Sequence, residues 1–399
     1  MNRVKKCTER LRGDEALCLR SLVCYFRLFG LAPVSLSVHE DSGASRGERR
    51  RRRRRRWTLA QSRPSTAYGC FVIALLATWN CFAFLSYMSK VYVHDAVINT
   101  SANIFEILCS LCVLGVYHAR KSRAIAVFNR FNEVTDLICY EDHAYSASKT
   151  VMLVFAVNAL IIVGIAATLF FYESVNSVIY AGTLLCHLVL NATMLQYFVV
   201  LRLIEHLFAM INGNLAAIAA DCSALWEPIT VVETNMRLIG LWKAHTKLSS
   251  LSRDVSNMYS LPALLFTSTE FLSITVFAYF IAKPFFIGGS YISCVDYVNW
   301  ILFTLINLLL FVHLTVSVTA AVNESKNTHM IINDLLQKPQ MQMVKDKLNQ
   351  FSIYLLQDNV NFTVYNLFSL DSSLLVKIAG SITTYMVILL QFKSRMCSH

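Results

Sequence analysis

Apolar residues along this chain fall in long blocks, and the polar stretches between the blocks keep a helical rather than an alternating rhythm. Six windows are almost continuously apolar: 67–89, 96–117, 151–172, 177–201, 260–283 and 297–321. A helix needs about 20 such residues to cross a bilayer. It must also satisfy its own backbone polar groups on the way. A seventh window, 374–392, carries a single charge, Lys377, near one end, where its stem can reach the interface. The pattern predicts an all-α membrane protein with seven transmembrane helices.

The segments between spans are not simple loops. Residues 202–259 place apolar side chains at helical spacing: Leu203, Ile204, Leu207, Phe208, Ile211 and Leu215, then Leu238, Leu241, Leu248, Leu251, Val255 and Tyr259. Residues 342–368 continue with Met343, Leu348, Phe351, Ile353, Leu355 and Leu356. This predicts that spans four to seven run on past the membrane and pack as cytosolic helical extensions. Amphipathic helices lying on the membrane surface are the competing reading.

Composition agrees with a membrane protein. Of the 399 residues, 55% are hydrophobic and 15% charged, against about 25% charged in an average soluble domain. The net charge of +11 resides entirely in residues 1–66, and the remainder is neutral. No basic domain surface for nucleic acid is therefore expected. Lys and Arg also set the orientation. With the N-terminus cytoplasmic, 31 of the 36 basic residues fall on the inside. The prediction is a cytoplasmic segment 1–66, a seven-helix domain 67–392 and an extracellular tail 393–399.

Eight consecutive arginines, Arg49–Arg56, follow a polar stretch, 39–48, that reads as unstructured. The run has three readings: a topogenic, lipid-contacting segment, a nucleic-acid motif, or an incidental insertion. The twelve cysteines show no metal-ligand spacing. Cys294 and Cys397 either pair on an oxidising side or stay free. The first sequon, at Asn99, falls at a membrane edge on the outer side. No paired carboxylates, nucleophile–base spacing or phosphate loop points to an enzyme, and no cofactor is implied.

Ionisable groups inside spans mark functional sites by default. Glu106, His187, Glu270 and His313 all lie mid-span. Thr384, Ile388 and Gln391 share one face of the last span. That polar face either bonds within a helix bundle or lines a pore. Aromatics at span ends, among them Trp79, Phe171, Phe277 and Trp300, fit either an interfacial belt or a ligand wall.

Near the C-terminus, Thr384-Tyr385, five apolar residues and Gln391-Phe392 resemble the signature of insect gustatory receptors. The lead-in, residues 361–371 (Asn-Phe-Thr-Val-Tyr-Asn-Leu-Phe-Ser-Leu-Asp), is similar too, as are the stretches 27–33 and 245–259. The resemblance implies a tastant-gated, non-selective cation channel in the plasma membrane. It implies a homo- or hetero-tetramer whose seventh helices line the pore and whose intracellular helices join the subunits. Gln391 and Phe392 are then the constriction, with Tyr385 and Ile388 as further wall or gate-supporting positions. An apolar Phe392 ring dewets a narrow pore, and Gln391 amides contact a hydrated cation. The ligand, bitter-type or sugar, is expected within each bundle, with Trp79, Phe171, Glu270, Phe277 and Trp300 as candidate contacts. Met386 stands where sugar-sensing members tend to carry Glu. The partners are the tastant, permeating cations and membrane lipid, with no nucleic acid. Two other classes compete. A G-protein-coupled receptor has the opposite orientation, and its Asp-Arg-Tyr and Asn-Pro-x-x-Tyr motifs are absent here. A transporter more often shows related halves.

Overall fold

The computed structural model describes residues 25–29, 31, 34–40, 55–61, 63–88, 94–138, 148–168, 174–220, 228–287, 294–338 and 341–397. They are nearly all helical. In chain order the helices are α1 (Arg63–Met88), α2 (His94–Ala119), α3 (Lys121–Ile138), α4 (Ser148–Thr168), α5 (Ser174–Ala220), α6 (Pro228–Ile287), α7 (Cys294–Gln337), α8 (Gln342–Gln357) and α9 (Ser372–Cys397). Six of them, α1, α2 and α4–α7, are long and apolar enough to cross a membrane. The seventh crossing, α9, is apolar over Ser372–Ile388.

Three helices far exceed a bilayer. At 47, 60 and 44 residues, α5, α6 and α7 are about 70, 90 and 66 Å long at 1.5 Å per residue. The hydrocarbon core is about 30 Å thick, so each runs on well beyond it. Together with α8 they build a packed base at one end of the bundle. Ile204, Leu207, Phe208, Ile211 and Leu215 of α5 are buried there with Leu248, Leu251, Val255 and Tyr259 of α6. Ile332 and Leu335 of α7 and Val344, Leu348, Phe351 and Leu355 of α8 complete the core. The periodicity of 202–259 therefore reports packed extensions, not surface-lying helices. On α8 the expectation needs correction: Met343, Ile353 and Leu356 are exposed. They lie on the side of the helix away from Val344, Leu348, Phe351 and Leu355, and one amphipathic turn cannot bury both sides.

Polar links tie the base together. Arg253 bonds Asp358 at 2.5 Å, and Tyr354 donates to the same carboxylate. Arg130 of α3 pairs with Asp254 of α6. Asn212 of α5 donates to the backbone oxygen of Glu324 at 2.9 Å and accepts from Thr328 at 2.7 Å, both on α7. Burial alone raises the Asp358 carboxyl, but donors from Tyr354, Ser249 and Arg253 outweigh it and hold the group below its usual range.

Two hairpins interrupt the helices. Strands β1 (Val34–Glu40) and β2 (Arg55–Gln61) pair antiparallel, with Val34 opposite Gln61 and Glu40 opposite Arg55. His39 and Glu40 are thus strand residues, a correction to the unstructured reading of 39–48, whose remainder lies outside the described residues. The signal was present as alternation, Val34-Ser-Leu-Ser-Val38 against Trp57-Thr-Leu59. Arg49–Arg54 also lie outside the described residues. Arg55 and Arg56 open β2, about 20 Å along the strand from Gln61 and the start of α1. β2 rests against α3.

The second hairpin joins β3 (Thr363–Val364) to β4 (Phe368–Ser369) and leads into α9. Tyr365 and Asn366 at its tip both have positive φ, 47° and 58°. The Leu367 amide closes the turn on the Val364 carbonyl at 2.8 Å. This is the mirror-image turn whose twist suits a hairpin. Ser256 and Ser260 of α6 both donate to the Thr363 carbonyl at 3.3 Å.

Candidate functional site

Two places hold functional candidates: the side of α9 turned away from the rest of the chain, and buried polar residues inside the membrane-spanning bundle.

Helix α9 starts where the sequence predicts a cap. Asp371 accepts from the Ser373 amide at 2.9 Å and from the Ser369 hydroxyl at 2.7 Å. Hydrogen bonds from Ser369 and Ser373 hold its carboxyl below the usual range. The Ser372 amide donates to Thr319 of α7 at 3.2 Å. The foot of α9 is therefore fixed to α6 through the hairpin and to α7 through Thr319.

Beyond that foot α9 touches the rest of the chain along one stripe. Leu374 is buried and Ile378, Ile382 and Met386 are half-buried, four residues apart. Tyr385 stands beside the stripe and meets Phe271 of α6 edge-on, with ring centroids 5.7 Å apart, although it remains 53% exposed. Lys377, Gly380, Ser381, Thr384, Ile388 and Gln391 are exposed on the far side. A Cβ placed on Gly380 would meet no atom within 4 Å. The face shared by Thr384, Ile388 and Gln391 is thus the open one, while Tyr385 is turned toward α6. The side chain of Phe392 lies outside the described residues.

The second place lies near the middle of the spans. His187 Nδ1 of α5 bonds Glu106 Oε1 of α2 at 3.0 Å, with both residues buried. Glu270 of α6 is also buried, 4% exposed. The Phe303 ring of α7 stands edge-on to His187 at 5.4 Å, and Phe277 lies 5.8 Å from Phe303. Asn307 is one turn further along α7 from Phe303 and is buried. Among the buried polar atoms of the spans, His187 Nε2, Glu270 Oε2 and Asn307 Oδ1 have no hydrogen-bond partner among the described residues. Such groups are costly in a membrane interior.

The remaining candidates separate. Trp300 stacks on Phe280 at 5.2 Å, in a smaller apolar cluster with Tyr279. Trp79 packs against α5, where a Cβ on Gly182 would come within 2.9 Å of it. His313 sits beside Phe198, ring centroids 6.2 Å apart. Phe171 lies outside the described residues. Cys294 is a free, exposed thiol, and the side chain of Cys397 lies outside the described residues. Asn307 and Phe303 were not singled out in the sequence. An asparagine within the apolar run Ile301–Phe311 was the available signal for the first, whereas nothing distinguished Phe303 from the other span aromatics.

The family described as 7tm Chemosensory receptor matches residues 19–396. The chain belongs to that family. Its receptors are multi-pass membrane proteins and not enzymes. Among curated relatives, the chain is 28% identical over 172 residues to putative gustatory receptor 28b of Drosophila melanogaster, covering 42% of this chain and 35% of the relative. It is 28% identical over 155 residues to gustatory and pheromone receptor 32a of the same organism, covering 38% of this chain and 32% of the relative. The matches thus span about a third of the length of these relatives. Among solved structures, the fold is similar to that of the insect olfactory receptor OR5 from Machilis hrabei in complex with eugenol. The TM-score is 0.63 with 15% identity, over 94% of this chain and 97% of that one. That likeness gives this family member the same fold.

Proposed function

We propose that this family member is a gustatory receptor subunit acting as a tastant-gated, non-selective cation channel in the plasma membrane. In this reading four subunits surround a pore lined by α9, the N-terminus is cytoplasmic, and the tail 393–399 is extracellular. The observation that carries it is the chemistry of α9: the side that the rest of the chain leaves open sets Lys377, Ser381, Thr384 and Gln391 among the apolar Val376, Val387 and Ile388. Lys377, Ser381, Thr384 and Gln391 are poorly suited to lipid and well suited to water or a neighbouring copy. Gln391 and Phe392 form the constriction, Ile388 continues the pore wall, and Tyr385 supports it from the α6 side. The exposed apolar residues of the base, among them Met330, Met343, Ile353, Leu356 and Leu367, supply contact surface between subunits. The ligand binds inside the bundle at the cluster of Glu106, His187, Glu270 and Phe277. Trp79 and Trp300 serve packing instead. Support for a small-molecule ligand also comes from the structural neighbour, which was solved in complex with eugenol.

Whole-cell recording after heterologous expression tests the pore. Gln391→Ala is expected to change ion selectivity or block, and Phe392→Ala to raise ligand-free current, with surface expression retained in both. Unaltered currents from both variants at the surface refute the pore assignment. Epitope tags stained with and without permeabilisation test the orientation, and an extracellular N-terminus refutes it.

A further inference from the structure

We propose that an anionic phospholipid of the inner leaflet docks at the cytoplasmic edge of the bundle, with its phosphate on Arg120. This goes beyond the channel reading and takes from it only the orientation. A shallow, open groove, about 240 Å³ with its mouth included, is lined by Val116, Tyr117, Arg120, Ala124, Met258 and Pro262. Its walls are the end of α2, the start of α3 and the middle of α6. Helical bonding carries on from α2 into α3. The Arg120 amide donates to the Val116 carbonyl at 2.9 Å, and the Ala124 amide donates to the Arg120 carbonyl at 3.1 Å. Val116, Arg120 and Ala124 therefore stand one turn apart on the groove side. The height of the groove follows from the apolar windows. Tyr117 ends one of them, and Ser260, between Met258 and Pro262, begins another. The groove thus sits where acyl chains give way to headgroups.

Charge selects the occupant. Arg120 is half-buried, and Arg120, Lys121 and Arg123 make no ion pair among the described residues. Asp254, one turn before Met258 on α6, is already paired with Arg130. Glu133, further along α3, is paired with Lys247. The positive charges of Arg120, Lys121 and Arg123 are thus left unmatched at the membrane edge, where basic groups attract anionic lipid. A phosphate takes the guanidinium fork of Arg120 in bidentate fashion. Arg123, three residues on, is its neighbour along the helix. Pro262 adds an acceptor: it has no amide to give the carbonyl four residues before it, which is that of Met258. That carbonyl suits a headgroup hydroxyl. Val116, Ala124, Met258 and Pro262 give the start of an acyl chain an apolar bed. A zwitterionic headgroup carries its own cation and gains less from the three charges. Bound here, the lipid ties α2 and α3 to α6 at the membrane edge, beside the Arg130–Asp254 pair that ties α3 to α6 in the base.

The test uses the full-length receptor purified in detergent, so that binding is read without conduction. Thermal stabilisation is titrated with dioctanoyl phosphatidylinositol, dioctanoyl phosphatidylcholine and soluble inositol phosphate. The anionic lipid is expected to bind about tenfold more tightly than either of the others. Arg120→Gln is expected to abolish its advantage over phosphatidylcholine. Replacing Arg49–Arg56 by glutamines is expected to leave that advantage intact, which separates the groove from the arginine run. Phosphatidylcholine or the soluble headgroup binding as tightly as phosphatidylinositol overturns the proposal. So does an unchanged preference in Arg120→Gln, or a preference lost with the arginine run. If Arg120→Gln does not fold, the double variant Lys121→Gln/Arg123→Gln decides: a severalfold loss of the preference supports the site and no loss overturns it. Failure of the channel reading looks different, with no ligand-gated current and no ligand-free current in Phe392→Ala while the lipid ratio stays measurable. An extracellular N-terminus in the tag staining overturns the assignment to the inner leaflet.

Discussion

Helices α4 and α9 both expose most of one side, yet they expose different things. On α4 the outward residues are Met152, Leu153, Leu160 and Val163. On α9 they are mixed, with Lys377, Gly380, Ser381, Thr384 and Gln391 standing among Val376, Val387 and Ile388. Lipid tails accept the first set at no cost and penalise the second. Exposure within one subunit therefore does not say what a helix faces, but the chemistry of the exposed side does. An apolar outward side belongs to the bilayer. A polar one belongs to water or to another copy, and this difference is what supports α9, rather than α4, as the proposed pore wall.

The contrast is broken or sharpened most strongly by placing one charge on each helix. Leu160→Arg puts a cation against lipid, at a cost of about 3 kcal/mol at a span centre. Surface expression is expected to fall tenfold or more. Thr384→Arg is expected to reach the surface at near wild-type level while suppressing cation current, because its charge lies in the proposed pore. Equal loss of expression from both would remove the distinction between the two sides.

A smaller effect is expected where α9 leans on α6. The Tyr385–Phe271 edge contact is worth about 1 kcal/mol beyond burial, as such aromatic pairs are. A double-mutant cycle of Tyr385→Ala and Phe271→Ala, read by thermal unfolding, is expected to show coupling of that size. Additive losses would show that Tyr385 stands apart from α6. Removing the cap with Asp371→Ala is expected to cost about 1 kcal/mol locally, seen as faster amide exchange in the first turn of α9 and nowhere in α4.

The smallest effect is on pH. Hydrogen bonds from Ser369 and Ser373 lower the Asp371 carboxyl in the folded state. Its stabilisation is thus fully present at neutral pH and is lost as pH falls through that lowered value, below the ordinary carboxylate range. Amide exchange at the foot of α9 is expected to accelerate in acid in the wild type, and to lose that acid dependence in Asp371→Ala.

Much of the architecture was legible along the chain. The membrane spans follow from apolar length, and the base follows from helical periodicity in 202–259, where Leu248, Leu251 and Val255 are buried as the spacing requires. The Asp371 cap and the shared face of Thr384, Ile388 and Gln391 could also be read directly, since both are local to one helix. The β1–β2 hairpin was overlooked, although Val34, Leu36 and Val38 alternate. Five residues of alternation are a weak signal beside spans of twenty. On α8, the list of apolar positions could not separate the buried side from the side left exposed by Met343, Ile353 and Leu356.

The order of amino acids by itself determined which segments are helices, how long they run, and which residues share a face, because those properties depend on neighbours within a turn or two. Only the tertiary structure decided that Glu106 and His187 meet, that Trp79 fills the space Gly182 leaves, and that Tyr385 turns toward Phe271. These relations depend on how one helix is rotated and shifted against another. That register comes from the sum of many small packing contacts across the bundle, none of which any single segment specifies.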